Sequence, residues 1–100
     1  KPPGTGPSDE SMEKGWFRLL TYGRTPTQEI VSEVSGGEPG YSETAKMLAE
    51  SALCLAEDSG KIPGKGGVLT PASAFGTVLI ERLLKAGIQI RELPTEGLAK

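Results

Sequence analysis

Between Ser42 and Glu57, apolar positions recur at spacings of three and four: Ala45, Leu48, Ala52, Leu55 and Ala56, with Glu43, Lys46, Glu50 and Glu57 on other faces. This is the period of an amphipathic helix, beginning near Tyr41 or Ser42 and stopping near Asp58-Ser59-Gly60. Its face is rich in alanine, so a partner surface can come close while each side chain buries little area. Upstream, Trp16 to Tyr22 and Gln28 to Ser35 read as two strands, and the Gly23 to Thr27 turn between them makes a hairpin. Both faces of the first strand are substantially apolar, which predicts that each is covered at least in part, and Trp16 and Tyr22 are assigned to the core. Downstream, Lys61 to Gly67 is a loop. Thr70 and Pro71 then have the form of an N-cap and first helical position. Phe75, Leu79, Leu83 and Ala86 share one stripe of that second helix, flanked by Val78 and Ala72, until Gly87 closes it. Ile88-Gln89-Ile90 follows as a short strand before Pro94. The expected fold is α+β in two layers, a hairpin plus a short third strand packed with two helices, in the order β-β-α-α-β.

Composition adds constraints. Apolar residues make up 36% of the hundred, with five aromatics, a thin supply for an independent core. The chain opens on Lys1 and runs K-P-P-G-T-G-P-S-D-E-S, which reads as a linker cut from something longer. The expected division is a disordered linker over 1–15, an α+β segment over 16–93 and a frayed tail over 94–100. Eleven basic and thirteen acidic residues give a formal charge of -2 with no long block of either sign. That argues against a nucleic-acid partner or a polybasic membrane surface. No run approaches the ~18 apolar residues of a membrane-spanning helix. The single cysteine, Cys54, makes no internal disulfide framework, so a reducing, cytoplasmic setting is the default.

The inventory of chemistry is short. Without histidine the commonest general acid/base and metal ligand is missing, and one cysteine does not make a zinc or thiolate site. Cys54 lies among Ala52, Leu53 and Leu55, where a buried structural thiol outweighs a nucleophile. The turn from Gly36 to Thr44 is the better candidate, since a glycine-rich approach to a helix N-terminus leaves backbone N–H groups free for an anion. The plainer reading, that this turn merely reverses the chain, is preferred. Gly66-Gly67 before Thr70 offers the same choice, and neither it nor Gly4 and Gly6 has the spacing of a phosphate loop. Glu33, Glu38 and Glu43 are assigned to solvent.

Three ordered blocks carry a resemblance: G-W-F-R-L-L-T-Y-G, then V-S-E-V-S-G-G-E-P-G-Y-S-E-T-A-K-M-L-A-E-S-A-L-C-L-A, then G-G-V-L-T-P-A-S-A-F-G-T-V-L-I-E-R-L-L-K-A-G-I. Together, over roughly Gly15 to Ile90, they resemble the carboxy-terminal part of the saccharopine dehydrogenase-like oxidoreductases. That group takes in mycobacterial trans-acting enoyl reductases and an animal lipid-droplet-associated relative. The resemblance implies a parent with an amino-terminal Rossmann domain binding NAD or NADP, absent here, for which this segment supplies scaffold and a wall of the substrate pocket. It marks Gly37, Gly40, Tyr41 and Thr44 as substrate-facing or domain-packing candidates and gives no catalytic residue, no cofactor-binding residue and no metal ligand to place. The alternative from a different class is a stand-alone interaction module, pairing through the hairpin edge or the alanine-rich face as a homodimer.

Overall fold

The computed structural model describes residues 2–95, so the part of the expected tail at 96–100 lies outside the described residues. Within the expected linker, helix α1 (Asp9–Lys14) forms. Ser8 caps it by accepting from the Ser11 N–H at 3.1 Å, and Lys14 pairs with Glu10 at 2.9 Å. Asp9 and Glu10 stand at the positive end of its dipole. All these supports are local and no α1 residue is buried, so the helix corrects the expectation of no regular structure before Trp16.

Strands β1 (Phe17–Arg24) and β2 (Glu29–Gly36) form the expected hairpin, in register from Phe17 opposite Gly36 to Arg24 opposite Glu29. Thr25 closes the connection: its N–H donates to the Gln28 carbonyl at 2.8 Å, and its hydroxyl accepts from the Gln28 N–H at 2.9 Å. Strand β3 (Gln89–Leu93) lies antiparallel to β2, placing Glu33 opposite Arg91 and making β2 the central strand. The expected order β-β-α-α-β holds.

Helix α2 (Ser42–Glu57) begins and ends close to expectation, but it is turned the other way. Ala45, Leu48, Ala52, Leu55 and Ala56 are exposed, Leu48 to 72%. The inward side is the line Glu43, Met47, Glu50, Cys54, again at helical spacing. Arg82 explains the inversion, donating from Nε to Glu50 at 2.9 Å and from Nη1 to Asp58 at 2.9 Å. A half-sheltered guanidinium needs carboxylates beside it, so the polar side of α2 is drawn toward the helix that carries Arg82.

The second helix divides. Thr70 caps α3 (Pro71–Phe75) by accepting from the Ser73 N–H, with Pro71 at its start as expected. Gly76, at φ +56° and ψ -140°, breaks the run, and α4 (Thr77–Lys85) resumes beyond it. The single helix expected from Thr70 to Ala86 is thereby corrected; a left-handed φ is open to glycine and closed to a continuing helix. Gly87, at φ +98°, ends α4 as expected. Its N–H donates to the Leu84 carbonyl at 3.1 Å and that of Ile88 to Leu83 at 3.0 Å, the paired bonds of a Schellman cap.

The core lies on the helix side: Cys54, Ile62, Phe75 and Leu79 are buried together, with Ala74, Val78 and Leu83 around them. The sheet adds Val31, Ile88 is buried just ahead of β3, and helices and sheet meet chiefly where α4 leads into β3. Much apolar surface stays outside. Trp16 is 74% exposed and Tyr22 53%, correcting their assignment to the core, and Leu19 and Leu20 on opposite faces of β1 are half exposed. Each face of β1 is therefore covered only in part within the described residues.

Candidate functional site

Gly37, Gly40, Tyr41 and Thr44 come together at the junction of β2 and α2, organised by a residue outside that set. The Glu38 carboxylate turns back on its own chain and accepts from the N–H groups of Gly40 at 2.7 Å, Tyr41 at 2.8 Å and Ser42 at 2.9 Å. The bonds from Ser42, then Tyr41, hold its pKa below the usual carboxylate range. The donors that an external anion would need are thus occupied by the protein's own carboxylate, and Glu38 is a structural cap instead of the solvated charge expected. The signal available in the sequence was an acidic residue two to four positions ahead of the first helical residues.

Each candidate has a definite place. A Cβ on Gly40 would stand 2.6 Å from Glu38 Oε1, and one on Gly37 would stand 3.0 Å from Glu43 Oε1. The Thr44 hydroxyl donates to the Pro39 carbonyl, tying the turn, and the Tyr41 side chain is 57% exposed. Glu43, also expected in solvent, is 8% exposed and lies against Gly36 and Gly37. Its Oε1 accepts from Lys46 Nζ at 3.2 Å, while Oε2 has no hydrogen-bond partner among the described residues.

A second cluster lies on the face of the sheet. Register places Glu33 directly opposite Arg91 and one step diagonally from Arg18, all pointing the same way. Arg91 Nε donates to Glu33 Oε1 at 2.8 Å, and Arg18 Nε donates to Oε2. Glu33 is 2% exposed, correcting its assignment to solvent, and the Arg18 bond followed by the Arg91 bond holds its carboxyl below the ordinary range. An open groove of about 480 Å³ lies over this clasp, edged by Trp16, Ser35 and Gln89. Sequence reasoning missed it because the partners are 15 and 58 residues from Glu33.

A third, apolar hollow of about 280 Å³ lies between the end of α2 and the 62–71 loop, lined by Leu55, Ile62, Leu69 and Phe75. Cys54 lies inside the core with its thiol pushed up, chiefly by burial and then by the nearby Asp58, so it is a packing residue. Among the described residues no group of three histidine, cysteine or acidic side chains converges as a metal site, and no helix is long and apolar enough to cross a membrane.

Comparison with known proteins places the chain near one group. A Mycobacterium tuberculosis protein that bears the name trans-acting enoyl reductase provisionally is 43% identical over 91 residues, which take in 89% of this chain and 22% of that protein. A trans-acting enoyl reductase of Mycobacterium ulcerans is 40% identical over 89 residues, 88% of this chain and 21% of that protein. A trans-acting enoyl reductase of Mycobacterium bovis is 40% identical over 87 residues, with similar shares. The chain therefore spans about a fifth of the length of the curated relatives it matches. No protein-family profile matches it, and no solved structure does.

Proposed function

We propose that this chain is the carboxy-terminal α+β portion of an NAD(P)-dependent oxidoreductase of the saccharopine dehydrogenase-like type. In this reading it supplies scaffold and a wall of the substrate pocket, and the hydride chemistry belongs to a Rossmann domain elsewhere in the same polypeptide. The observation that carries the reading is the pairing of 40–43% identity over most of the chain with coverage of only 21–22% of the oxidoreductases it resembles. The surface agrees with it. Leu19, Leu20 and Tyr22 on β1 and Leu48 and Leu55 on α2 are all at least half exposed, in patches of the kind that further polypeptide covers. The sequence has no G-x-G-x-x-G to seat a pyrophosphate between a strand and a helix, and the start of α2 already has its donors filled by Glu38. Tyr41, whose large side chain is 57% exposed at the junction, is the residue best placed to meet substrate or the rest of the enzyme.

Calorimetry with NADH and NADPH tests the proposal. The complete protein is expected to bind one of them saturably and the isolated hundred residues neither; equally tight binding by the isolated chain overturns it.

A further inference from the structure

The geometry points to an oxyanion-binding site on the sheet face, in the groove above Glu33, that takes a carboxylate or phosphate group through the terminal nitrogens of Arg18 and Arg91. Two guanidinium groups share one carboxylate, and the other residues around the groove are uncharged, so the lining keeps one net positive charge. Each arginine spends only its Nε on Glu33, and among the described residues the Nη groups of both have no hydrogen-bond partner. A guanidinium presents five N–H donors in a fixed fork that matches an oxyanion, so four donors on each arginine are left for a ligand.

Burial and exposure are divided in a way that suits binding. Glu33 is 2% exposed, whereas the Arg18 and Arg91 side chains are 52% and 60% exposed. The carboxylate is thus a fixed post that orients both forks, and the forks themselves line the open groove. Both arginines are held through one atom each, which lowers the entropy lost when a ligand engages the rest. Ser35 and Gln89, paired across β2 and β3 on the same face, bring a hydroxyl and an amide that make no hydrogen bond within the described residues. Trp16, 74% exposed at the rim, gives the bound molecule an apolar flank. The assignment is independent of the dinucleotide reading, since it concerns the clasp alone.

The test uses the complete protein with inorganic phosphate and succinate as probes, by calorimetry at constant ionic strength against chloride. Saturable heat with either probe is expected: phosphate alone identifies a phosphoryl ligand, succinate alone a carboxylate, and both a general oxyanion site. Arg18→Lys and Arg91→Lys keep a cation beside Glu33 and lose the fork, so each should weaken binding about tenfold, the scale of one charge-assisted contact. Gln89→Ala removes no bond that holds the fold together and should weaken binding severalfold. Circular dichroism establishes that each variant is folded. Absence of binding by both probes overturns the proposal, as it would if an acidic segment elsewhere in the polypeptide already fills the groove. Unchanged affinity in Gln89→Ala together with a folded arginine variant overturns it too.

Discussion

Glu33 sets what acid should do to this protein. Its carboxyl titrates below the ordinary 4.5 because Arg18 and then Arg91 stabilise the charged form, and Glu38 is shifted the same way by backbone donors. A depressed folded-state pKa contributes stability that is fully present above the unfolded value and lost as pH falls through the folded one. Unfolding free energy is therefore expected to hold steady down to about pH 4.5 and fall below it. Glu33→Gln should lower stability at neutral pH and flatten the acid limb, readable by urea titration at several pH values; an unchanged limb would remove Glu33 from the account. Gly76 is a second single-residue determinant. At φ +56° any Cβ is strained, and here it would also stand 3.2 Å from Pro63 Cγ. Gly76→Ala should cost about 1–3 kcal/mol by denaturant unfolding.

At the scale of elements, the packed face of α4 and the open face of α2 make opposite predictions. Leu79 is 8% exposed in the core cluster, so Leu79→Ala should cost about 2–5 kcal/mol, enough to unfold much of a marginal domain. Leu48 is 72% exposed; Leu48→Ser should leave the isolated chain within about 0.5 kcal/mol of its original stability and weaken the complete protein if α2 docks there. Thermal melts of both variants in both contexts separate the two. The same elements show what the sequence made legible. The hairpin, the Thr70-Pro71 start and the Gly87 stop could be read because each depends on neighbours in the chain. The buried side of α2 could not be read from its apolar stripe, since Arg82 on another helix selects the opposite side. The same holds for Glu33, whose partner Arg91 arrives on a strand that had first to find its register. Helix α1 was legible in Ser8, Asp9 and Lys14, but the proline and glycine around it outweighed that local pattern. Of the junction candidates, the sequence picked out the turn itself; the position of Glu38 two to four residues ahead of its donors was there to be read, but that its carboxylate folds back to fill the turn is fixed by its side-chain conformation.

The whole molecule is open in shape. Its Cα radius of gyration is 16.4 Å, where a compact hundred-residue domain has about 13 Å. The excess has a physical source in the small core, since the sheet and the helix pair touch along one edge and do not close over a shared interior. Such a shape leaves groove, junction and apolar stripe accessible together, which suits a part that other polypeptide completes. The location of Cys54 gives this openness a clock. The chain's lone sulfhydryl is 0% exposed at the centre of the helix pair, so a thiol-labelling dye reaches it only when those helices part. The labelling rate of the isolated chain then counts its openings, and its slowing in the complete protein would measure how firmly the neighbouring polypeptide keeps the pair shut.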